Sequence, residues 1–267
     1  MLTLGDTEYG LVSAEGGDIS APVIREVAGG VVRKRLGTPA PEPIVLSFDL
    51  SLHPEIYHWI AEFWRGDYTP RSGSLISLDM NGKAQSELFF ENAVISTTTI
   101  PAMDAASKTP CTLTVQLAPE RTRRTAGSGA VVGFDQKPKQ PWLPSFFDLA
   151  IEGLDTKRVS RIDPLTVVAD ERGAIDFPDL HVLLSPAGAE EWFAWHDEFV
   201  VSGHADKEKS GLLTFFARDL RTKLGRLKLD GLGITRLAPE PAQKTGVEQV
   251  VRLGANLYCE SMELAVP

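Results

Sequence analysis

The chain repeats itself. Trp59-Ile60-Ala61-Glu62-Phe63 and Trp195-His196-Asp197-Glu198-Phe199 share Trp-x-x-Glu-Phe at an offset of 136 residues. Ser72-Gly73-Ser74-Leu75 then faces Ser210-Gly211-Leu212-Leu213 at an offset of 138. Leu88-Phe89-Phe90-Glu91-Asn92-Ala93-Val94-Ile95-Ser96 faces Leu227-Lys228-Leu229-Asp230-Gly231-Leu232-Gly233-Ile234-Thr235 at 139. Three collinear matches with a slowly growing offset predict a tandem duplication: one supersecondary unit written twice. A length of 267 residues agrees, since domains run to roughly 100–200 residues.

Hydrophobic periodicity gives both halves the same order of elements. Ile44, Leu46, Phe48, Leu50 and Leu52 alternate with polar residues as in a half-buried strand, and Leu180, Val182 and Leu184 repeat the pattern. A helix follows each. Ile56, Trp59, Ile60 and Phe63 fall on one helical face after Pro54, and Trp192, Trp195 and Phe199 on another, with Ser185-Pro186 as its expected start. Gly66 and Gly203 follow the helices. Three strand-like segments come next in each half: 74–80, 86–96 and 111–117, then 211–217, 224–235 and 247–259. Further strands are expected at Val27–Leu36, Phe146–Glu152 and Leu165–Ala169, with hairpin tips at Arg35–Pro43 and Asp170–Asp179. One helix among so many strands cannot build βαβ units. The expected class is therefore mainly β, with one helix per repeat: two tandem β-barrels of antiparallel strands. Between Ala118 and Ser145 the composition turns to Pro, Gly and basic residues, which divides the chain into a first barrel over 1–120, a linker over 121–144 and a second barrel over 145–267.

Composition excludes several functions. The chain is 43% apolar and 24% charged, with 36 acidic against 27 basic residues, so its net charge of −9 repels polyanions. Two cysteines, Cys111 and Cys259, are too few for a disulfide framework and read as reduced packing residues. No apolar run approaches the ~20 residues that span a bilayer. The N-terminus carries no basic stretch followed by an apolar core, so a chain made and kept in the cytosol, or leaving it without a signal peptide, is expected.

Chemistry-bearing motifs are sparse. His-Glu-x-x-His, a P-loop and paired Cys-x-x-Cys are absent, and Gly127-Ser128-Gly129-Ala130-Val131-Val132-Gly133 lacks the preceding strand that a phosphate loop needs. None of the five histidines shares metal-ligand spacing with a second ligand, and Glu190-Glu191 diverge around a helix. No catalytic, cofactor-binding or metal residue is assigned, and no enzyme is expected. Trp59 and Trp195 read as core on their helical stripes, while Glu62 and Glu198 point off them toward ion pairs. Arg121, Arg123 and Arg124 form a basic cluster, either a patch for an anionic partner or a basic linker against an acidic body.

The second half carries a further pattern: Phe146-Phe147-Asp148-Leu149-Ala150-Ile151-Glu152-Gly153-Leu154, Arg158-Val159-Ser160-Arg161-Ile162-Asp163, Leu229-Asp230-Gly231-Leu232-Gly233-Ile234 and Ala255-Asn256-Leu257-Tyr258-Cys259-Glu260. Over residues 145–264 it resembles the tail-tube proteins of contractile-tailed phages and the inner-tube proteins of phage-tail-like contractile injection systems. Phe90-Glu91-Asn92-Ala93-Val94 is similar to the family's aromatic strand, as in a more diverged copy. The resemblance implies a small β-barrel flanked by a helix, six of which close a ring around a lumen, with long hairpins joining neighbours. Two barrels in one chain then imply a trimer with pseudo-sixfold symmetry. It also implies sheath and baseplate or hub partners outside, and tape-measure protein, cargo or DNA inside without sequence-specific binding. Assembly would occur in the cytoplasm and the product would reside in a virion tail or injection-system particle, without membrane contact. The alternative is a monomeric double-barrel protein binding a carbohydrate or small ligand on Trp64, Trp142 and Tyr68; an enzyme ranks third.

Overall fold

The computed structural model describes residues 1–50, 53–132, 142–170, 172–204, 206–240 and 251–265. In chain order the first half forms β1 (Leu2–Leu4), β2 (Thr7–Tyr9), β3 (Ser13–Gly16), β4 (Ile19–Ser20), β5 (Val23–Ala28), β6 (Val31–Leu36), β7 (Ala40–Pro41), β8 (Ile44–Phe48), α1 (Pro54–Trp64), β9 (Arg71–Leu78), β10 (Ala84–Ile100), β11 (Met103–Asp104), β12 (Leu113–Ala118) and β13 (Arg121–Ala126). The second half forms β14 (Phe147–Ile151), β15 (Val159–Ile162), β16 (Leu165–Ala169), β17 (Ile175–Asp176), β18 (Leu180–Leu184), α2 (Glu190–His196), β19 (Lys209–Phe216), β20 (Lys223–Glu240) and β21 (Arg252–Ala265). The fold is mainly β, with curled sheets, as the periodicity predicts.

The two halves trace the same path. The first-half sheet runs β1-β9-β10-β12-β8-β3 and the second-half sheet β14-β19-β20-β21-β18-β15. Registers match as well. Leu2 pairs with Leu75 and Leu4 with Gly73, as Leu149 pairs with Leu213 and Ile151 with Gly211. Gly73 then pairs with Phe90 and Gly211 with Leu229. Beyond those pairs each ladder slips by one residue: Arg71 faces Ala93, and Lys209 faces Leu232. The extra residue is a bulge. Asn92 (φ +50°) and Gly231 (φ +62°) sit in it, both in the left-handed region that asparagine and glycine tolerate best. On the other edge, β12 and β13 together occupy the place that β21 fills alone, since Phe90 pairs with Thr122 as Leu229 pairs with Met262.

In space the chain divides into two compact units. Unit 1 comprises Met1–Phe48, Tyr68–Ser96 and Val115–Pro138; unit 2 comprises Asp49–Asp67, Thr97–Thr114 and Lys139–Pro267. Helix α1 and the last residues of β10, although first-half in sequence, therefore belong to unit 2. Unit 1 buries Leu2, Ile44, Leu46, Phe48, Leu88 and Phe90 between the faces of its sheet, and unit 2 buries Trp142, Trp192, Phe215, Leu227 and Leu229. Each such side chain contributes roughly 1.5–3 kcal/mol on leaving water.

Local chemistry explains where the elements start and stop. His53 caps α1 by accepting from the Glu55 N–H through Nδ1, and Pro54 takes the first position, where no amide partner is needed. Helix α2 begins at Glu190 rather than at Ser185-Pro186. Gly188, at φ +80°, interrupts any helix started there, and the Ser185 hydroxyl caps only a turn by accepting from the Ala187 N–H. After His196 the helix widens into a π-turn over Asp197–Val201, closed by a bond from the Ser202 N–H to the Asp197 carbonyl.

Other expectations are corrected. Val27–Leu36 is not one strand: Gly29 and Gly30, at φ +63° and +77°, turn β5 back into β6. That is the geometry of a two-residue hairpin turn. Arg35–Pro43 is accordingly the returning arm of this hairpin, while Asp170 does cap a hairpin tip between β16 and β17. The segment expected as linker opens as strand β13, because Arg121–Ala126 complete the ladder on β10; residues 133–141 lie outside the described residues. Cys111 and Cys259 are free thiols, and burial pushes them up to about 12 and about 11. Among the described residues no helix is long and apolar enough to cross a membrane.

Candidate assembly interface

Unit 2 holds a junction at which α1, the end of β10 and the hairpin β16–β17 meet. The hairpin adds to β10 on the edge that β12 does not occupy, pairing Leu165 with Ile100, Thr166 with Thr99, Val167 with Thr98 and Val168 with Thr97. Thr99 and Thr166 join their hydroxyls at 3.1 Å across the ladder. Trp64, at the end of α1, donates its indole N–H to the Thr98 hydroxyl at 2.8 Å and meets Phe177 edge-on, 6.1 Å between ring centroids. At the start of α1, the Tyr57 hydroxyl spans two carbonyls, Leu50 at 2.8 Å and Leu224 at 2.9 Å. A hydroxyl has only one hydrogen to donate, so the two oxygens share it. Burial, aided by Asp49, holds the phenol above the ordinary tyrosine range.

The corresponding place beside α2 is open. Along β20, β19 pairs only as far as Leu232, and among the described residues no strand covers the edge from Arg236 to Pro239. The helix leaves Phe193 47%, Val200 43% and Val201 72% exposed. Beside this edge lies an ionic network. His181 sits 2.9 Å from Asp163 and 3.5 Å from Glu240, Arg161 lies 3.0 Å from Asp163, and Arg236 lies 3.4 Å from Glu240.

An open cleft of about 620 Å³ lies in unit 1 between β1, β9, β10 and β13, lined by Thr3, Ser74, Phe89, Glu91, Thr122 and Arg123 among others. No histidine or cysteine lines it. Among the described residues no three metal-binding side chains converge anywhere.

The residues singled out in the sequence fall as follows. Trp59 and Trp195 are core, each 3% exposed. Glu62 reaches His58 one turn back at 3.0 Å, and Glu198 lies 3.9 Å from both His204 and Lys207. The basic cluster is engaged: Arg124 bonds Asp18 at 2.9 Å, Arg123 lies over the Phe89 ring, and Arg121 stands near Glu120. Trp64 and Trp142, offered as ligand platforms, are instead buried, because the first is seated in the junction and the second packs edge-on against Phe215. Sequence reasoning misses the open edge of β20 and the exposed face of α2. Comparing the two halves position by position carries that signal, since Phe193 and Val200 stand where the first half has Tyr57 and Trp64.

No protein-family model matches the sequence, and no curated protein matches it. Among solved structures, a chain of the anti-feeding prophage tube-terminating cap is similar at 26% identity, covering 47% of this chain and 87% of that one, with a TM-score of 0.39. A chain of the sheath–tube complex of the PVC extracellular contractile injection system, in the extended state, is similar at 23% identity, over 47% and 86% of the two chains, with a TM-score of 0.39. A chain of the anti-feeding prophage baseplate follows at 12% identity, over 47% and 89%, with a TM-score of 0.40.

Proposed function

We propose that this protein is a structural, non-enzymatic component of the inner tube of a contractile phage tail or contractile injection system, or of a ring that caps or adapts that tube. The first half, its sheet completed by β13 (Arg121–Ala126), and residues 145–267 are two copies of one ancestral β-barrel unit, and three chains place six such units around a lumen. The observation that carries this reading is the shared bulge: Asn92 and Gly231 interrupt the same ladder at the same register, inside sheets of the same strand order. Unrelated sheets have no physical reason to agree in order, register and irregularity together, since a bulge is a specific local device. The resemblance of residues 145–264 to tail-tube proteins supplies the biological setting. Exposed strand edges also favour self-association, because unpaired backbone groups recruit a further strand. On this reading the outer surface meets sheath and baseplate or hub proteins, and the lumen passes tape-measure protein, cargo or DNA without reading sequence. The chain assembles in the cytoplasm and ends in the particle.

Native mass spectrometry of the purified chain across a concentration series tests the proposal. The expected species is three times the 29.1 kDa chain, with rings or stacks of rings by negative-stain microscopy. A strictly monomeric protein under all conditions overturns it.

A further inference from the structure

Unit 2 contains a filled junction and, one repeat away, its unfilled counterpart. Resting on the duplication reading above, we infer that the open edge of β20 and the exposed face of α2 receive the base of the first-half hairpin, Gly17–Ser20 and Pro41, of a second copy of this chain.

The strand pairings of the two halves fix the register. Leu88 and Leu227 are counterparts, so the β10 segment Thr97–Ile100 corresponds to Arg236–Pro239 on β20. On the hairpin side, Ala14 pairs with Leu46 as Ile162 pairs with Val182, and Ser20 pairs with Ala40 as Val168 pairs with Asp176. Gly17–Ser20 therefore corresponds to Leu165–Val168, the strand that covers β10. Transferred between copies, the ladder sets Ser20 against Arg236, Ile19 against Leu237 and Asp18 against Ala238. Pro239, which lacks an N–H, closes it.

Exposure supports the same match from both sides. Val167, buried under β10 at 0% exposure, has as its counterpart Ile19, which is 61% exposed. Trp64, packed edge-on against Phe177, is buried at 5%, whereas its counterpart Val200 stands 43% exposed, and Phe177 corresponds to Pro41 of the hairpin base. Two apolar positions are thus open in one copy where the other is closed. They lie on two surfaces that the filled junction brings together. Leaving such side chains in water forfeits the burial gain that the filled junction collects, and an unpaired strand edge is a template for another chain. The contact is head-to-tail, so it either closes a ring or propagates. Within a ring of this chain alternate seams would differ: one is covalently continuous with a Thr99–Thr166 contact, and the other has the Asp163–His181–Glu240 network beside it.

The test uses the full chain carrying Ile19→Cys and Leu237→Cys, oxidised at assembling concentration. The expected product is chains linked in series up to a closed trimer on a non-reducing denaturing gel. Neither single variant, nor Val27→Cys paired with Leu237→Cys, gives it. A second variant, Ile19→Lys, exchanges an exposed side chain and is expected to leave the melting temperature unchanged while raising the concentration needed for assembly at least tenfold. Assembly by native mass spectrometry without the Ile19–Leu237 crosslink, or Ile19→Lys assembling like the parent, overturns this seam and leaves the tube-component reading standing. A parent chain that never assembles overturns both.

Discussion

Asn92 and Gly231 occupy one position of the same bulge, at φ +50° and +62°, in strands separated by more than half the chain. The two residues solve a single backbone problem differently. Glycine enters the left-handed region without a side chain, while asparagine tolerates it and uses its amide to reach Glu120 at 2.8 Å. Gly231→Ala should therefore destabilise unit 2 by about 1–2 kcal/mol. The added methyl would also meet Glu260 Cγ at 2.6 Å and Cβ at 2.8 Å, and because the Cβ is fixed by its own backbone a steric cost adds to that of the backbone angle. Asn92→Gly should change stability by less than about 1 kcal/mol. Urea midpoints of the two variants check the contrast, and equal losses would refute it.

Gly73 and Gly211 are a second matched pair with unequal tolerance. A methyl on Gly73 would lie 2.2 Å from the Thr3 carbonyl oxygen, whereas on Gly211 the nearest atoms are the Leu232 side chain at 3.0 Å and the Ala150 carbonyl at 3.2 Å. Gly73→Ala must push β1 from the sheet and expose Leu2 and Leu4, costing about 3 kcal/mol. Gly211→Ala needs a shift of a few tenths of an ångström and should cost about 1 kcal/mol or less. Hydrogen exchange at Leu2–Leu4 should accelerate in the first variant alone.

Alkaline stability should report on Tyr57. Its folded phenol is held above the usual tyrosine value by burial first and Asp49 second, so folding favours the neutral form. That contribution is fully present below the unfolded value of about 10 and is lost as pH rises beyond it. Cys259, raised to about 11 by burial, acts in the same direction from about pH 9 upward. Tyr57→Phe should lower stability at neutral pH by about 1–3 kcal/mol, since the Leu50 and Leu224 carbonyls lose their donor. It should also flatten the alkaline decline. Denaturation at pH values on either side of 10 measures both, and an unchanged slope would count against the assignment.

Trp64 and Val200 are counterparts on the two helices with opposite surroundings. Trp64→Ala empties a site packed by Phe177 and bonded to Thr98, and should cost about 3–5 kcal/mol. Val200→Ala, measured in dilute unassembled chain, should stay within about 0.5 kcal/mol. Thermal melts at low protein concentration separate the two.

Much of the fold is legible in the sequence because burial imposes periods. Alternation places β8, β16 and β18 within a few residues, and the Trp59 stripe places α1. Three features escape that reasoning. The Gly188 break delays α2, Gly29-Gly30 folds one apparent strand into two, and the chain's division in space sends α1 to unit 2. The first two turn on positive φ, which composition cannot distinguish from an ordinary glycine. The third is set by long-range packing, on which local periodicity is silent. The open edge of β20 is less visible still, because a strand's sequence records which face is apolar and not whether both neighbours are present.

The first-half hairpin is longer than its counterpart: 19 residues lie between Ser20 and Ala40, against seven between Val168 and Asp176. The excess is the β5–β6 arm, with Val23, Val27, Val32 and Leu36 all more than half exposed. Each chain thus carries one long arm for two sheets. Any closed assembly built from it alternates long and short projections and so repeats only half as often as it has sheets.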